Sequence, residues 1–215
     1  MIVRFTIFLF VSLALFSSCI SSKAYEDALL VGKGNEAIEG TISRAVVEET
    51  LRTSDISRFL NQRDVGTIGI NYIYGLTDNL DFSAGIDIPI GFKAKLKYQF
   101  ETESLRNIHA VSLETQFPFL YTLNLNLENR LIASAVPSYI YTYRFDDLFN
   151  LSLNGFVTSS FTTTDFILLP GIAGGIGIGD EVRFTAGANY SRSVFSTDGS
   201  QFQFLTIESS IKVDF

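Results

Sequence analysis

Lysine recurs at every second residue in Lys93-Ala94-Lys95-Leu96-Lys97, and at strand rise this makes a one-sided cationic stripe about 14 Å long. Facing a confined lumen, such a stripe would favour anions or an acidic ligand. It is also what a structural charge network would look like, with Asp81, Asp87, Glu101 and Glu114 supplying the counter-charge. His109 is the single histidine, so any Ser-His hydrolase or His-dependent metal site must use it. A lipid-hydrolysing site would want His109, Ser112 and Glu114 on one face, but offsets of three and five residues put the histidine opposite both in a regular strand. The run Gly171-Ile172-Ala173-Gly174-Gly175-Ile176-Gly177-Ile178-Gly179 has the glycine density of a dinucleotide loop. That loop must open a helix, whereas Asp180-Glu181 and another alternating segment follow, so a glycine-rich strand and turn is expected. Gly32-Lys33-Gly34 lacks the rest of a phosphate loop and reads as flexible tether. The acid pairs Asp146-Asp147 and Asp180-Glu181 read as solvated turns. Neither a catalytic residue nor a metal or cofactor site is expected.

Composition narrows the partners. One cysteine excludes a disulfide scaffold and a multi-cysteine zinc site. With 23 acidic against 16 basic residues in 215, there is no basic footprint for nucleic acid. Mean hydropathy is +0.25, high for a soluble domain, yet beyond the first twenty residues no run of about 18 apolar residues could cross a bilayer as a helix.

Met1-Ile2-Val3-Arg4 carries one positive charge and leads into a nearly wholly apolar stretch from Phe5 to Phe16, the pattern of a secretory signal. It ends in Leu15-Phe16-Ser17-Ser18-Cys19, with two small residues before the cysteine. Here the chain resembles bacterial lipoproteins, although Phe16 stands where that family usually has an aliphatic residue. The resemblance implies cleavage before Cys19, with lipid on its sulfur and acylation of the new amino terminus. Each buried acyl methylene contributes about 0.8 kcal/mol, so a multiply acylated Cys19 would hold the protein on a membrane by itself. The alternative is an ordinary signal cut near Ser18 or Ser22. Residues 20–35 show no sustained period and read as tether. Glu36 to Val46 alternates loosely as a strand candidate, and Val47 to Arg63 suggests a short helix or ordered loop.

From Asp64 onward the period is two. Phe92, Ala94, Leu96, Tyr98 and Phe100 alternate with Lys93, Lys95, Lys97, Gln99 and Glu101, a sorting no helix provides. Ten such segments follow one another, running from Val65–Leu76, Leu80–Ile88 and Phe92–Glu101 to a last one at Phe202–Phe215, with Phe119–Glu128 as the fifth. Three-residue links at Thr77-Asp78-Asn79 and Pro89-Ile90-Gly91 put Ile88 opposite Phe92, Asp87 opposite Lys93 and Ser83 opposite Lys97. We therefore expect an all-β fold: a single antiparallel up-and-down barrel of about ten strands (eight to twelve), its apolar face turned outward to lipid. The expected organisation is a signal peptide at 1–18, an anchor, tether and periplasmic segment at 19–63, and the barrel at 64–215.

Alternation alone does not distinguish this barrel from a soluble one with an apolar interior. Segments near ten residues suit tilted membrane strands. Tyr72, Tyr74, Tyr98, Tyr121, Tyr139, Tyr141, Tyr143 and Tyr190 offer interfacial anchors, and Gly69, Gly75 and Gly85 sit among charges on the polar face, as a crowded lumen requires. The terminal Phe215 after an alternating strand resembles the C-terminal signal of bacterial outer-membrane barrels, which implies that their assembly machinery reads it. The phrase Tyr74-Gly75-Leu76-Thr77-Asp78-Asn79-Leu80-Asp81-Phe82 is similar to hairpins of small barrels of that family. With Phe215 in the periplasm, the start near Asp64 and the links at 89–91, 146–148 and 180–181 fall on the periplasmic side. The links at 101–107, 161–165 and 195–201 then fall outside.

The expected protein is an outer-membrane barrel lipoprotein without enzymatic activity, anchored through Cys19. It has a structural or interaction role at the envelope, or forms a narrow pore. Its expected partners are membrane lipids and the barrel assembly machinery, and no ligand is identified. The rival is a lipid-anchored soluble barrel that binds a hydrophobic ligand in the periplasm.

Overall fold

A computed structural model describes residues 26–49, 64–88, 91–102, 104, 106–118, 131–162, 166–197 and 202–215. Its strands are β1 (Glu36–Glu49), β2 (Asp64–Thr77), β3 (Leu80–Ile88), β4 (Gly91–Gln99), β5 (Asn107–Pro118), β6 (Leu131–Arg144), β7 (Phe149–Thr162), β8 (Phe166–Ile178), β9 (Val182–Arg192), the two-residue β10 (Phe195–Ser196) and β11 (Phe202–Asp214). Successive strands from β1 to β9 pair antiparallel, β9 pairs β11, and β11 pairs β1 along its length from Glu49↔Phe202 to Ala37↔Asp214. Ten strands thus close an up-and-down barrel, with β10 added beside β8 at Phe195↔Leu168. Closure leaves none of the ten with a free edge.

The alternation in sequence becomes two surfaces. Ile68, Ile70 and Tyr72 of β2, Phe92, Leu96 and Tyr98 of β4, and Ile207, Ile211 and Val213 of β11 all point outward and are exposed. Their chain neighbours Asn71, Lys93, Lys97, Ser210 and Lys212 point inward and are buried. The expected outward apolar face is therefore present. It is the reverse of the arrangement a soluble barrel with an apolar pocket requires.

Three expectations need correction. The barrel starts at Glu36, not Asp64, because β1 supplies the strand between β2 and β11, and its last residues come from the segment read as a helix or loop. β5 pairs directly with β6, Gln116 opposite Ser134, so no fifth strand at 119–128 separates them; residues 119–130 lie outside the described residues. The ten expected strands are therefore not the ten observed, although their number agrees. Exchanging one early strand for one in the middle reverses the ends between them. Phe215, the start of β1 and the links at 78–79, 100–106, 145–148 and 179–181 share one end, hereafter the near end. The end of β1, Asp64 at the start of β2, Ile88 and Gly91, and the start of β11 lie at the far end.

Register differs too. The first hairpin pairs Tyr74 with Phe82 as expected, with an irregularity between Gly75 and Thr77. The second pairs Asp87 with Gly91 and Asp81 with Lys97, a slip of two residues from the expected partners. A period-two pattern fixes which face a residue takes, and a slip of two leaves every face unchanged.

Candidate functional site

Inside the barrel most of the charged residues lie on β3, β4, β9 and β11, with Glu39 on β1 and Glu114 on β5, because polar positions of one parity on each strand turn inward. The Lys93 ammonium donates a 2.6 Å hydrogen bond to Asp87, and both side chains are buried. Asp87 is not its direct cross-strand partner, Gly85 is, so the pair forms on the diagonal within reach of a long side chain. Lys95 and Lys97 are answered differently. Both form ion pairs with Glu26, at 2.8 and 3.3 Å.

Glu26 belongs to the stretch read as tether. Residues 26–31 instead run inside the near half of the lumen, and 32–35 form an exposed turn at its mouth that leads into β1. Asp27 pairs with Arg183 of β9 at 3.3 Å. Lys97 also donates to the carbonyls of Asp27 and Leu29, the Ala28 amide donates to Thr142 at 2.8 Å, and the Val31 amide donates to Asp81 at 3.0 Å. Ala28 is fully buried against Ile108, Ala110 and Ile140, an apolar patch of the lumen wall that Leu29 extends. The segment thus matches the wall in both charge and polarity.

Local sequence explains how it turns. Gly32 and Gly34 hold positive φ of 84° and 77°, a region costly for residues with a Cβ. The Gly34 amide donates to the Gly75 carbonyl, and the Gly75 amide to the Asn35 carbonyl. Gly75 lacks a side chain where one would meet the Gly32 carbonyl, so β2 and the inner segment approach backbone to backbone. Gly32-Lys33-Gly34 is therefore an ordered turn and not a loose tether.

Beside the inner segment a cavity of about 30 Å³ remains among Glu26, Asp27, Asp81, Lys95, Arg183 and Lys212, roughly the room one water occupies. Nearer the mouth, a recess of about 450 Å³ opens between Leu29–Gly32 and the β4–β5 link, bordered by Phe100, Ile108 and Arg144. Deeper in, Val136, Phe156 and Ala173 form a small apolar cluster. Phe204 is buried as well.

No protein-family model matches the chain, and no curated protein does. Among solved structures it is similar to Neisserial surface protein A, at 13% identity over 84% of this chain and 97% of that one, TM-score 0.35. It is similar also to Ail, the attachment invasion locus protein of Yersinia pestis (11%, 84% and 99%, TM-score 0.32). A third is the outer membrane protein OprG from Pseudomonas aeruginosa (7%, 87% and 99%, TM-score 0.35). Likenesses this distant transfer nothing to this chain, whose barrel is defined by its own strand pairing and polarity.

The remaining sequence candidates fall in scattered places. His109 faces outward, its Nδ1 2.6 Å from the Tyr139 hydroxyl and its ring 5.1 Å from that of Tyr141, whereas Ser112 and Glu114 are buried in the lumen. The three are not brought together. Glu114 accepts from Gln116, and Glu101 is outside the lumen, accepting from Asn79. The glycine-rich run is β8, as expected of a strand. At the near end, Arg144 pairs with Asp147 within the β6–β7 link. Phe215 closes the last strand, exchanging backbone hydrogen bonds with Glu36. Cys19 and Tyr121 lie outside the described residues.

Glu26, Asp27, Arg183 and Lys212 are not among the residues whose spacing in sequence points to the lumen network. Arg183 and Lys212 sit at inward positions of β9 and β11 and could have been found from alternation. Only the apolar run Ala28-Leu29-Leu30-Val31 after an acid pair hinted that the supposed tether was buried.

Proposed function

We propose that this protein is a bacterial outer-membrane β-barrel, anchored additionally through lipid on Cys19, whose lumen is closed at rest by its own residues 26–35. Its role is structural or interaction-based at the envelope, with a narrow solute path when the lumen opens, and it has no catalytic function. The observation that carries the reading is the polarity of the barrel. Charged and amide side chains such as Lys93, Lys97, Glu114 and Asn71 are buried inside, while Ile68, Ile70, Phe92 and Ile207 are 55 to 64% exposed outside. In water this would expose far more contiguous apolar surface than a soluble monomer tolerates; in lipid it is the expected arrangement.

Aromatic placement supports the same reading. Tyr98 and Phe100, and Tyr143, Phe145 and Phe149, contact one another around the near end, and Phe161, Phe166 and Phe195 do so at the far end. Outward aliphatic residues such as Ile70, Leu96 and Leu153 lie between them, with Tyr72 and Tyr139 on the near half. Two aromatic girdles about an aliphatic band mark the two faces of a membrane. In this reading the near end, which holds Phe215 and three links of four residues or fewer, is periplasmic, and Phe215 presents the signal read by the assembly machinery.

The test is fractionation of the Cys19→Ser protein. The account predicts that it remains with outer membranes, needs detergent for extraction and migrates faster in unheated than in boiled gel samples. A monomer soluble without detergent would overturn the membrane reading; wild-type protein without acyl chains on Cys19 would overturn the anchor alone.

A further inference from the structure

The inner segment does more than fill space, because it supplies the charge its surroundings lack. The walls of the small cavity contribute four cations, Lys95, Lys97, Arg183 and Lys212, against two carboxylates, Glu39 and Asp81. Glu26 and Asp27 bring two more negative charges and balance the set. Their carboxylates sit at 2.8 and 3.3 Å from Lys95 and Lys97, and at 3.3 Å from Arg183. Carboxylate and phosphate groups bind ammonium and guanidinium side chains at such distances.

We propose that this basin is an anion-binding site in a solute path, and that Glu26 and Asp27 occupy it as an internal substitute for a small carboxylate or phosphate anion. The inference rests on the membrane-barrel reading. Three features make residues 26–35 an occupant that can leave. The segment belongs to none of the barrel strands and meets the walls through the ion pairs of Glu26 and Asp27, a few hydrogen bonds and one apolar contact around Ala28. The glycine turn at Gly32 and Gly34 gives it a pivot. The barrel closes by β1–β11 pairing without it. With the segment withdrawn, Lys95, Lys97, Arg183 and Lys212 face the basin against Glu39 and Asp81, with Asp214 3.6 Å from Lys212; this local excess of positive charge among low-dielectric walls favours anions at the basin.

Full-length protein carrying Glu26→Gln with Asp27→Asn, and separately Glu26→Lys with Asp27→Lys, would be placed in planar bilayers under a potassium chloride gradient. Heat-modifiable migration serves as the check that each barrel has formed. Wild type is expected to be silent or to open rarely. At least one variant is expected to conduct far more often, with its reversal potential on the chloride side of zero, and inorganic phosphate in the bath should reduce that current. Adding Lys95→Gln and Lys97→Gln should remove the chloride preference. The proposal fails if both folded variants are silent or prefer potassium. It fails equally if neither folds, since the segment would then be part of the barrel's structure and not a removable occupant. A wild-type protein that is not heat-modifiable would instead count against the membrane barrel itself.

Discussion

The Lys93–Asp87 pair is the clearest single interaction in the lumen, with side-chain exposures of 4 and 8%. Removing one partner of a buried pair leaves an uncompensated charge and costs about 3–5 kcal/mol. Asp87→Ala should therefore lower the urea-unfolding midpoint of the barrel in detergent markedly, while Asp87→Ala combined with Lys93→Met should recover most of the loss. Equal destabilisation in the single and double variants would show that the pair is not what holds this wall. The three-residue link at 89–91 pairs Asp87 with Lys93 through a register off by two residues, and the contact forms nonetheless because both stay on the inner face. The partner of Lys95 and Lys97 leaves no such trace. Periodicity links neighbours along a strand and across a hairpin, but Glu26 lies some seventy residues away and returns by a path no local pattern records.

At the scale of elements, nine of the barrel strands are legible from Asp64 onward because in each one face is apolar and the other lines a polar lumen. β1 was harder. Gly40 and Arg44 interrupt its outward face, and its place is fixed by pairing with β11, at the other end of the chain. A segment lying inside a lumen is harder still, because it touches wall on several sides and needs neither period. Its close approach to β2 gives a steric test. In Gly75→Val the side chain would collide with the Gly32 backbone, so residues 26–35 should lose hydrogen-exchange protection and gain protease sensitivity in a barrel that still migrates as folded. Unchanged protection would mean that the segment is not held against Gly75.

For the whole molecule, architecture and polarity are legible in the sequence, whereas the end at which each link lies is not. Up-and-down order makes every end depend on the strand count before it, so one strand missed early and one added later invert all links between them. Polarity escapes this error, since it depends only on parity within each strand. It is also the central claim, and spin labels read it directly. In the Cys19→Ser background, cysteines at Leu96 and Leu153 would carry labels on the outer surface, and one at Ser152 a label in the lumen. In lipid vesicles the account predicts strong relaxation of the two outer labels by oxygen and little by a water-soluble nickel complex, with no such oxygen preference at Ser152. Outer labels that the nickel complex reaches freely would contradict a lipid-facing barrel.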